Sequence, residues 1–302
     1  METIRLPQGT VRYRVAGPPE TSAPPVVFVH GLLVSGSLWT ATADALAGHG
    51  VRSYAPDWPL GAHTIALAPD ADVSPAGVAR MILGFLEALD LRDVTLVGND
   101  TGGALCQLAI DTDPARVGRV VLTNCDAFEQ FPPPPFGVLV AALRHPGLTR
   151  ALMLPMRSTA VRHSLAAYGP LVRRPLDPQQ TRAWVEPILG DAGVRRDVAR
   201  FAAGVGADVL RPASERLTSF PGAALIVWGT GDRFFKLSLG QRLAQTFARG
   251  RLVELQGART FVPHDEPERL AQEIAAFAAP GAAGAERSEP LSRSGSGSPG
   301  TA

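Results

Sequence analysis

Asp100 stands in the run Gly98-Asn99-Asp100-Thr101-Gly102, directly after the apolar stretch Val94–Val97 and directly before a helical stretch. Glycines two positions either side of a reactive residue, at a strand-to-helix junction, match a nucleophile elbow, a sharp turn that holds one side chain exposed and strains its backbone. The glycines are needed because the turn brings backbone close to neighbouring elements. An aspartate in this place is a nucleophile without assistance, since a carboxylate is already ionised at neutral pH.

Four further groups could serve it. His30-Gly31-Leu32 ends an earlier apolar run. A loop of this kind supplies one backbone N–H of an oxyanion hole and the residue after the nucleophile supplies the other, which here means Leu32 and Thr101. His30 itself reads as structural. Asp232, in Trp228-Gly229-Thr230-Gly231-Asp232, ends a late strand. It reads as an acid that orients a catalytic histidine, or as plain Gly-Asp turn chemistry. Asp126 closes Thr123-Asn124-Cys125-Asp126, and His63 follows Pro59-Leu60-Gly61-Ala62. Each reads either as a site residue or as a loop residue or helix cap. Asp100, Asp126 and Asp232 in one pocket would raise a carboxylate pKa by mutual repulsion. No spacing supports a metal site. No organic-cofactor motif is present, the one glycine-rich turn being accounted for by the elbow, so no cofactor is expected.

The elements that must position these groups follow from the apolar pattern. Short β-type runs at Val11–Val15, Val26–Val29, Val51–Ala55, Val94–Val97 and Val117–Thr123 alternate with helical stretches. That alternation predicts a mostly parallel sheet flanked by helices. Ser37–Ala47 reads as a helix, and so does Ser74–Leu89, with Ser74 as N-cap, Pro75 at the first helical position and Val78, Met81, Ile82, Phe85 and Leu89 at helical spacing. The alternation resumes with strands at Ala224–Trp228 and Leu252–Leu255 and helices at Ser238–Phe247 and Pro267–Phe277. Between the two halves the sequence is proline- and arginine-rich and helical without clear strands. The expected organisation is a core of residues 1–127 and 220–279, a helical cap over 128–219 and a disordered tail over 280–302. Phe131, Phe136, Leu139, Met153 and Leu154 are candidates to line the pocket from the cap side, or to form the cap's own core.

Hydrophobic residues make up 45% and charged residues 19% of the 302, which suits a globular enzyme with a sizeable core. A net charge of +1 gives no reason to expect a nucleic-acid or membrane-surface partner. Cys106 and Cys125 cannot build a disulfide framework and read as small buried hydrophobes. No signal-peptide pattern and no bilayer-length apolar run is visible, so a cytoplasmic protein acting on a small molecule is expected.

Together, VVFVHGLLVSGSLW, VGNDTGG, VWGTGD and FVPHDEPERLA resemble the α/β-hydrolase superfamily from about Thr10 to Phe277. The resemblance implies the α/β-hydrolase fold, with a cap inserted after the sixth strand. The aspartate at the elbow is similar to haloalkane dehalogenases, haloacetate dehalogenases and epoxide hydrolases. For those branches it implies displacement at carbon by the carboxylate, then hydrolysis of the alkyl ester by histidine-activated water. Branch signatures differ: Thr101 stands where haloalkane dehalogenases carry tryptophan, Leu32 where they carry a halide donor, and Gly102-Gly103 where haloacetate dehalogenases carry arginines. Epoxide hydrolases show His-Gly-x-Pro and cap tyrosines, against Leu33 and the lone cap tyrosine Tyr168 here. The family's histidine stands seven residues before a proline and directly before an aromatic. Counting from Pro267 gives Thr260, followed by Phe261; the nearest histidine is His264. Two readings stay open. Either His264 swings in as the base with Asp232 or Asp126 behind it, in a hydrolase of epoxide, alkyl halide or ester type. Or the triad is broken, and the protein binds a small molecule or does non-hydrolytic chemistry.

Overall fold

The computed structural model describes residues 1–279; the tail expected to be disordered lies outside the described residues. A turn at Pro7-Gln8 joins β1 (Glu2–Leu6) to β2 (Gly9–Ala16) as an antiparallel hairpin. The sequence carries no clear signal for β1, because only Leu6 of its five residues is buried and no alternation marks it. Next come β3 (Val26–Val29), α1 (Thr40–Gly48), β4 (Ser53–Pro56), α2 (Pro75–Ala88), β5 (Val94–Asp100), α3 (Thr101–Thr112) and β6 (Val117–Cys125). The helix expected from Ser37 divides in two: Gly36–Trp39 form a 3-10 turn, capped by the Ser35 hydroxyl, and α1 begins at Thr40. α2 starts as expected, with the Ser74 hydroxyl accepting from the Gly77 N–H at 3.1 Å.

Between β6 and β7 the chain is helical: α4 (Gly137–Leu143), α5 (Pro146–Met153), α6 (Thr159–Arg162), α7 (Pro178–Gly190), α8 (Ala192–Ala203) and α9 (Ala207–Glu215). It closes with β7 (Ala223–Gly229), α10 (Leu237–Thr246), β8 (Gly250–Leu255), α11 (Val262–Asp265) and α12 (Pro267–Ala278). No helix among the described residues is long and apolar enough to cross a membrane.

One eight-stranded sheet results, in the order β1-β2-β4-β3-β5-β6-β7-β8. β2 runs antiparallel to both neighbours, and every pairing from β4 to β8 is parallel. β3 and β7 are buried throughout, which explains their unbroken valine, leucine and isoleucine runs. From β3 the chain passes to β4 on one side and then to β5 on the other. Such a reversal opens a crevice at the carboxyl ends of the two central strands. The register Val29↔Gly98 sets the His30-Gly31-Leu32 loop beside Asp100 at that crevice.

Buried polar bonds fasten the helical segment to the sheet. The Tyr168 hydroxyl donates to the Leu33 carbonyl at 2.7 Å and the Trp184 indole N–H to the Ser37 hydroxyl at 2.8 Å. His63 and Asp197, both buried, lie 3.3 Å apart, and Asp197 also accepts the Leu67 N–H at 2.8 Å. This contact ties α8 to the loop after β4.

Candidate active site

Asp100 ends β5 with φ +54 and ψ −132, a conformation that costs a non-glycine residue ~1–3 kcal/mol. Its neighbours enforce it. A Cβ on Gly102 would stand 2.1 Å from the Val29 carbonyl oxygen, so α3 packs this close to β3 only because that atom is missing. A Cβ on Gly31 would fall 2.1 Å from Asp100 Oδ2, so the carboxylate lies against the bare Gly31 backbone. The backbone N–H groups of Leu32 and Thr101 lie beside that carboxylate and draw its pKa down. Burial, the largest influence, and the nearby negative charge of Asp232 act the other way, and the net result is a pKa of about 7.

A register shift places the second carboxyl. Asn99 pairs with Thr123 and Asp100 with Cys125, leaving Asn124 as an extra residue. Bulges of this kind re-aim side chains. Here the shift brings Asp126 beside Asp100, with the Asp126 N–H 3.4 Å from the Asp100 carbonyl. Asp126 is 1% exposed, and its Oδ1 has no hydrogen-bond partner. Burial pushes its pKa well above the ordinary range; repulsion from Asp100 adds to this, and the Thr101 hydroxyl partly offsets it.

Asp232 sits at the end of β7 as expected, fully engaged. It accepts the N–H groups of Phe234 at 2.8 Å and Phe235 at 3.2 Å and the Asn124 amide at 2.9 Å. Its pKa is raised by burial, against which these donors and the Thr260 hydroxyl act. Thr260 lines the cavity with Asp100; its hydroxyl faces Asp232 but completes no hydrogen bond.

The structure does not bring His264 to this site. The short α11, which no sequence pattern announces, turns the ring outward, where Nε2 stands 3.2 Å from the Arg174 carbonyl oxygen. The expectation of His264 as base is corrected on that ground. Nor does another histidine replace it. His30 Nε2 accepts the Trp58 N–H at 2.9 Å, and burial drives its pKa down to about 4, a structural role. His63 is held by Asp197 rather than overhanging the pocket, and His163 faces the Thr181 hydroxyl at 3.0 Å. His49 and His145 are exposed at helix ends, and no histidine lines the cavity.

Above Asp100 lies a cavity of about 200 Å³, lined mostly by apolar side chains. Phe131, Phe136, Leu139 and Met153 line it as expected, together with Val140, Phe201 and Phe235. Leu154 does not. It is 44% exposed and faces an outer groove shared with Arg150 and Arg157, because the helix breaks at Met153 into a 3-10 turn. Three supporting residues were not singled out from sequence. Asn99 donates to Thr123 Oγ1 at 2.9 Å and to the Thr260 carbonyl at 2.6 Å, Asn124 braces Asp232, and Gln107 donates to the Asp126 carbonyl at 2.8 Å. Only the position of Asn99 inside the elbow hinted at such a role.

Comparison with known proteins agrees with this architecture. The chain is 36% identical over 131 residues to a haloalkane dehalogenase of Agrobacterium fabrum, a match covering 42% of this chain. The chain spans only 41% of that relative's own length. It is 28% identical over 232 residues to a 2-hydroxy-6-oxononadienedioate/2-hydroxy-6-oxononatrienedioate hydrolase of Burkholderia vietnamiensis, covering 72% of this chain and 74% of that one. Among solved structures, a haloalkane dehalogenase from Bradyrhizobium elkani superposes with a TM-score of 0.74 at 18% identity, covering 92% of this chain and 96% of its own, which is a likeness of fold. Residues 24–267 match the family described as alpha/beta hydrolase fold, and with the elbow, sheet order and crevice in place the chain belongs to that family.

Proposed function

We propose that this protein is a hydrolase in which Asp100 attacks a saturated carbon of a small, mostly apolar substrate and carries it briefly as an alkyl ester. One observation supports this above all. The Asp100 carboxylate sits at the strained elbow, under an apolar cavity, beside the N–H groups of Leu32 and Thr101. Two N–H groups aimed at an aspartate's own oxygen suit an aspartyl ester, because hydrolysis of that ester develops negative charge on that oxygen. With a serine nucleophile the charge would develop on the substrate instead.

The helical segment acts as a cap that sets substrate size through Phe131, Phe136 and Met153. Haloalkane dehalogenases stand among the relatives, and displacement at a saturated carbon by a carboxylate suits alkyl halides and strained cyclic ethers, so these are the substrate classes to try first. Thr260 and the outward His264 favour one second reading, a divergent relative that forms the ester and releases it poorly. Incubation with short 1-bromoalkanes and terminal epoxides, followed by intact-mass and peptide-mass measurement, tests the proposal. Alkylation mapped to Asp100 with alcohol or diol formation supports it, and a persistent adduct without product supports the second reading. Equal turnover by Asp100→Asn removes Asp100 from the chemistry.

A further inference from the structure

An aspartyl ester needs a proton acceptor for the water that hydrolyses it, and no histidine reaches this cavity. We infer that Asp126 is that acceptor, so that Asp100 and Asp126 run the reaction as a carboxyl pair; the inference rests on Asp100 being the nucleophile.

Geometry singles out Asp126. It is buried, it lines the same cavity as Asp100, and its Oδ1 has no partner in the protein. A buried polar oxygen left unpaired is costly, and a functional site is one reason for a protein to keep it. Asp232 is a poor alternative, since two backbone N–H groups and the Asn124 amide already occupy its oxygens. The groups around Asp126 are few: the Asp100 carboxylate from β5, the Thr101 hydroxyl from α3 and the Cys125 thiol from its own strand, with Asp232 beyond Asp100. No lysine, arginine or histidine lines the cavity among the described residues.

The resting pair shares one proton, because two neighbouring carboxyls in a mostly apolar cavity cannot both ionise readily. In the first step an Asp100 oxygen bonds to the substrate carbon while the bond to the leaving group breaks, its electron pair departing with that group. Asp100 loses its charge in forming the ester. The repulsion that kept Asp126 protonated disappears, and its proton passes to solvent, or to the leaving atom where that atom is an alkoxide oxygen. Asp126, now a carboxylate, takes a proton from water as the water oxygen adds to Cγ of Asp100. The electron pair moves onto the carboxyl oxygen beside the Leu32 and Thr101 N–H groups. Collapse breaks the bond from Cγ to the alkyl oxygen, which takes the proton back from Asp126 and leaves as the alcohol. Asp100 is released as a carboxylic acid beside an ionised Asp126, which restores the one-proton pair.

Single-turnover reactions of the wild type and Asp126→Asn with 1-bromobutane and 1,2-epoxyhexane, quenched in time and run in ¹⁸O-labelled water, test the inference. Asp126→Asn is expected to form the Asp100 ester within a few-fold of the wild-type rate and to hydrolyse it ~100-fold more slowly or worse, the usual scale of a lost general base. Wild-type ester decay should quicken with pH through one ionisation above the ordinary carboxylate range, place ¹⁸O in the Asp100 carboxyl, and lose that pH dependence in the variant. Ester decay in Asp126→Asn at the wild-type rate, or a flat wild-type profile, overturns the inference while leaving Asp100 as nucleophile. Absence of any Asp100 adduct, ¹⁸O label or product in both proteins overturns the parent reading and this one with it. If circular dichroism shows that Asp126→Asn does not fold, the wild-type pH profile decides alone.

Discussion

The Asn99 amide donates to the Thr260 carbonyl at 2.6 Å, so the residue before Asp100 fixes the backbone of the residue that stands where the family's histidine is expected. Thr260 is thus held in register with Asp100, with Asp232 facing its hydroxyl. An imidazole at this place would meet an acid already oriented by Phe234, Phe235 and Asn124. Thr260→His is therefore expected to speed hydrolysis of the Asp100 ester by ~100-fold, with a new ionisation in the histidine range. The added volume faces the cavity, which limits the overpacking penalty to ~1–3 kcal/mol. The measurement is the single-turnover decay of the ester beside Thr260→Ala. No gain from histidine, with a large loss from alanine, would show that Thr260 serves the chemistry through its hydroxyl instead.

Gly31→Ala should silence the site while sparing the fold. The new methyl would fall 2.1 Å from Asp100 Oδ2 and 2.7 Å from its Cγ, so the carboxylate must leave its cradle. Displacing a reacting group by about an ångström costs on the order of 100-fold in rate. Alkylation of Asp100 is expected to fall by at least that factor, with a circular dichroism spectrum like the wild type. Alkylation at an undiminished rate would mean the cradle does not set the reacting geometry.

Asp100 should also make the protein less stable as pH rises. Its pKa is raised to about 7 in the folded chain, above the unfolded value of 3.8. Its contribution is fully present below pH 4 and is lost as pH rises through about 7. His30 works oppositely in an overlapping window: its folded pKa of about 4 lies below the unfolded 6.5, so its contribution falls away as pH drops. The clean observable is the difference between Asp100→Asn and wild type in urea unfolding. The variant should gain stability relative to the wild type from pH 4 to 7 and level off above, by a few kcal/mol at most, since each pKa unit is worth ~1.4 kcal/mol, while the loss of the carboxylate's contacts shifts the whole curve without changing its slope. A difference that does not vary with pH would show that burial does not perturb this carboxyl.

Much of this arrangement is legible in residue types because local chemistry dictates it. Gly98 and Gly102 around Asp100 announce the elbow, and the apolar runs before His30 and Asp232 announce strands whose ends reach one crevice. What is not legible depends on contacts distant in sequence. Asp126 takes its place from a bulge that appears only when β5 pairs with β6. His264 is turned away by α11, and its backbone N–H bonds to Phe261, which no count of spacings foresees. Leu154 has the right apolarity to line the cavity, but the break after Met153 rotates it to the outside. β1 escapes notice for a simpler reason: four of its five residues are not buried, so the pattern that marks a strand is missing.

Tyr168 is the tyrosine that a reading based on epoxide opening would make a proton donor, yet its hydroxyl already donates to the Leu33 carbonyl at 2.7 Å. Burial raises its pKa further, so the proton stays on the oxygen. Leu33 has φ +60 and follows Leu32, whose N–H lies beside the Asp100 carboxylate. The hydroxyl therefore holds the loop's shape and gives no proton to substrate. Tyr168→Phe is expected to cost ~1–2 kcal/mol in urea unfolding, the price of an unpaired buried carbonyl. It should change the rate of Asp100 alkylation by 1,2-epoxyhexane only a few-fold, and by no more than the rate with 1-bromobutane. A loss of ~100-fold confined to the epoxide, in a protein of near wild-type stability, would instead make Tyr168 the acid that protonates the departing oxygen, since a bromide ion leaves without a proton.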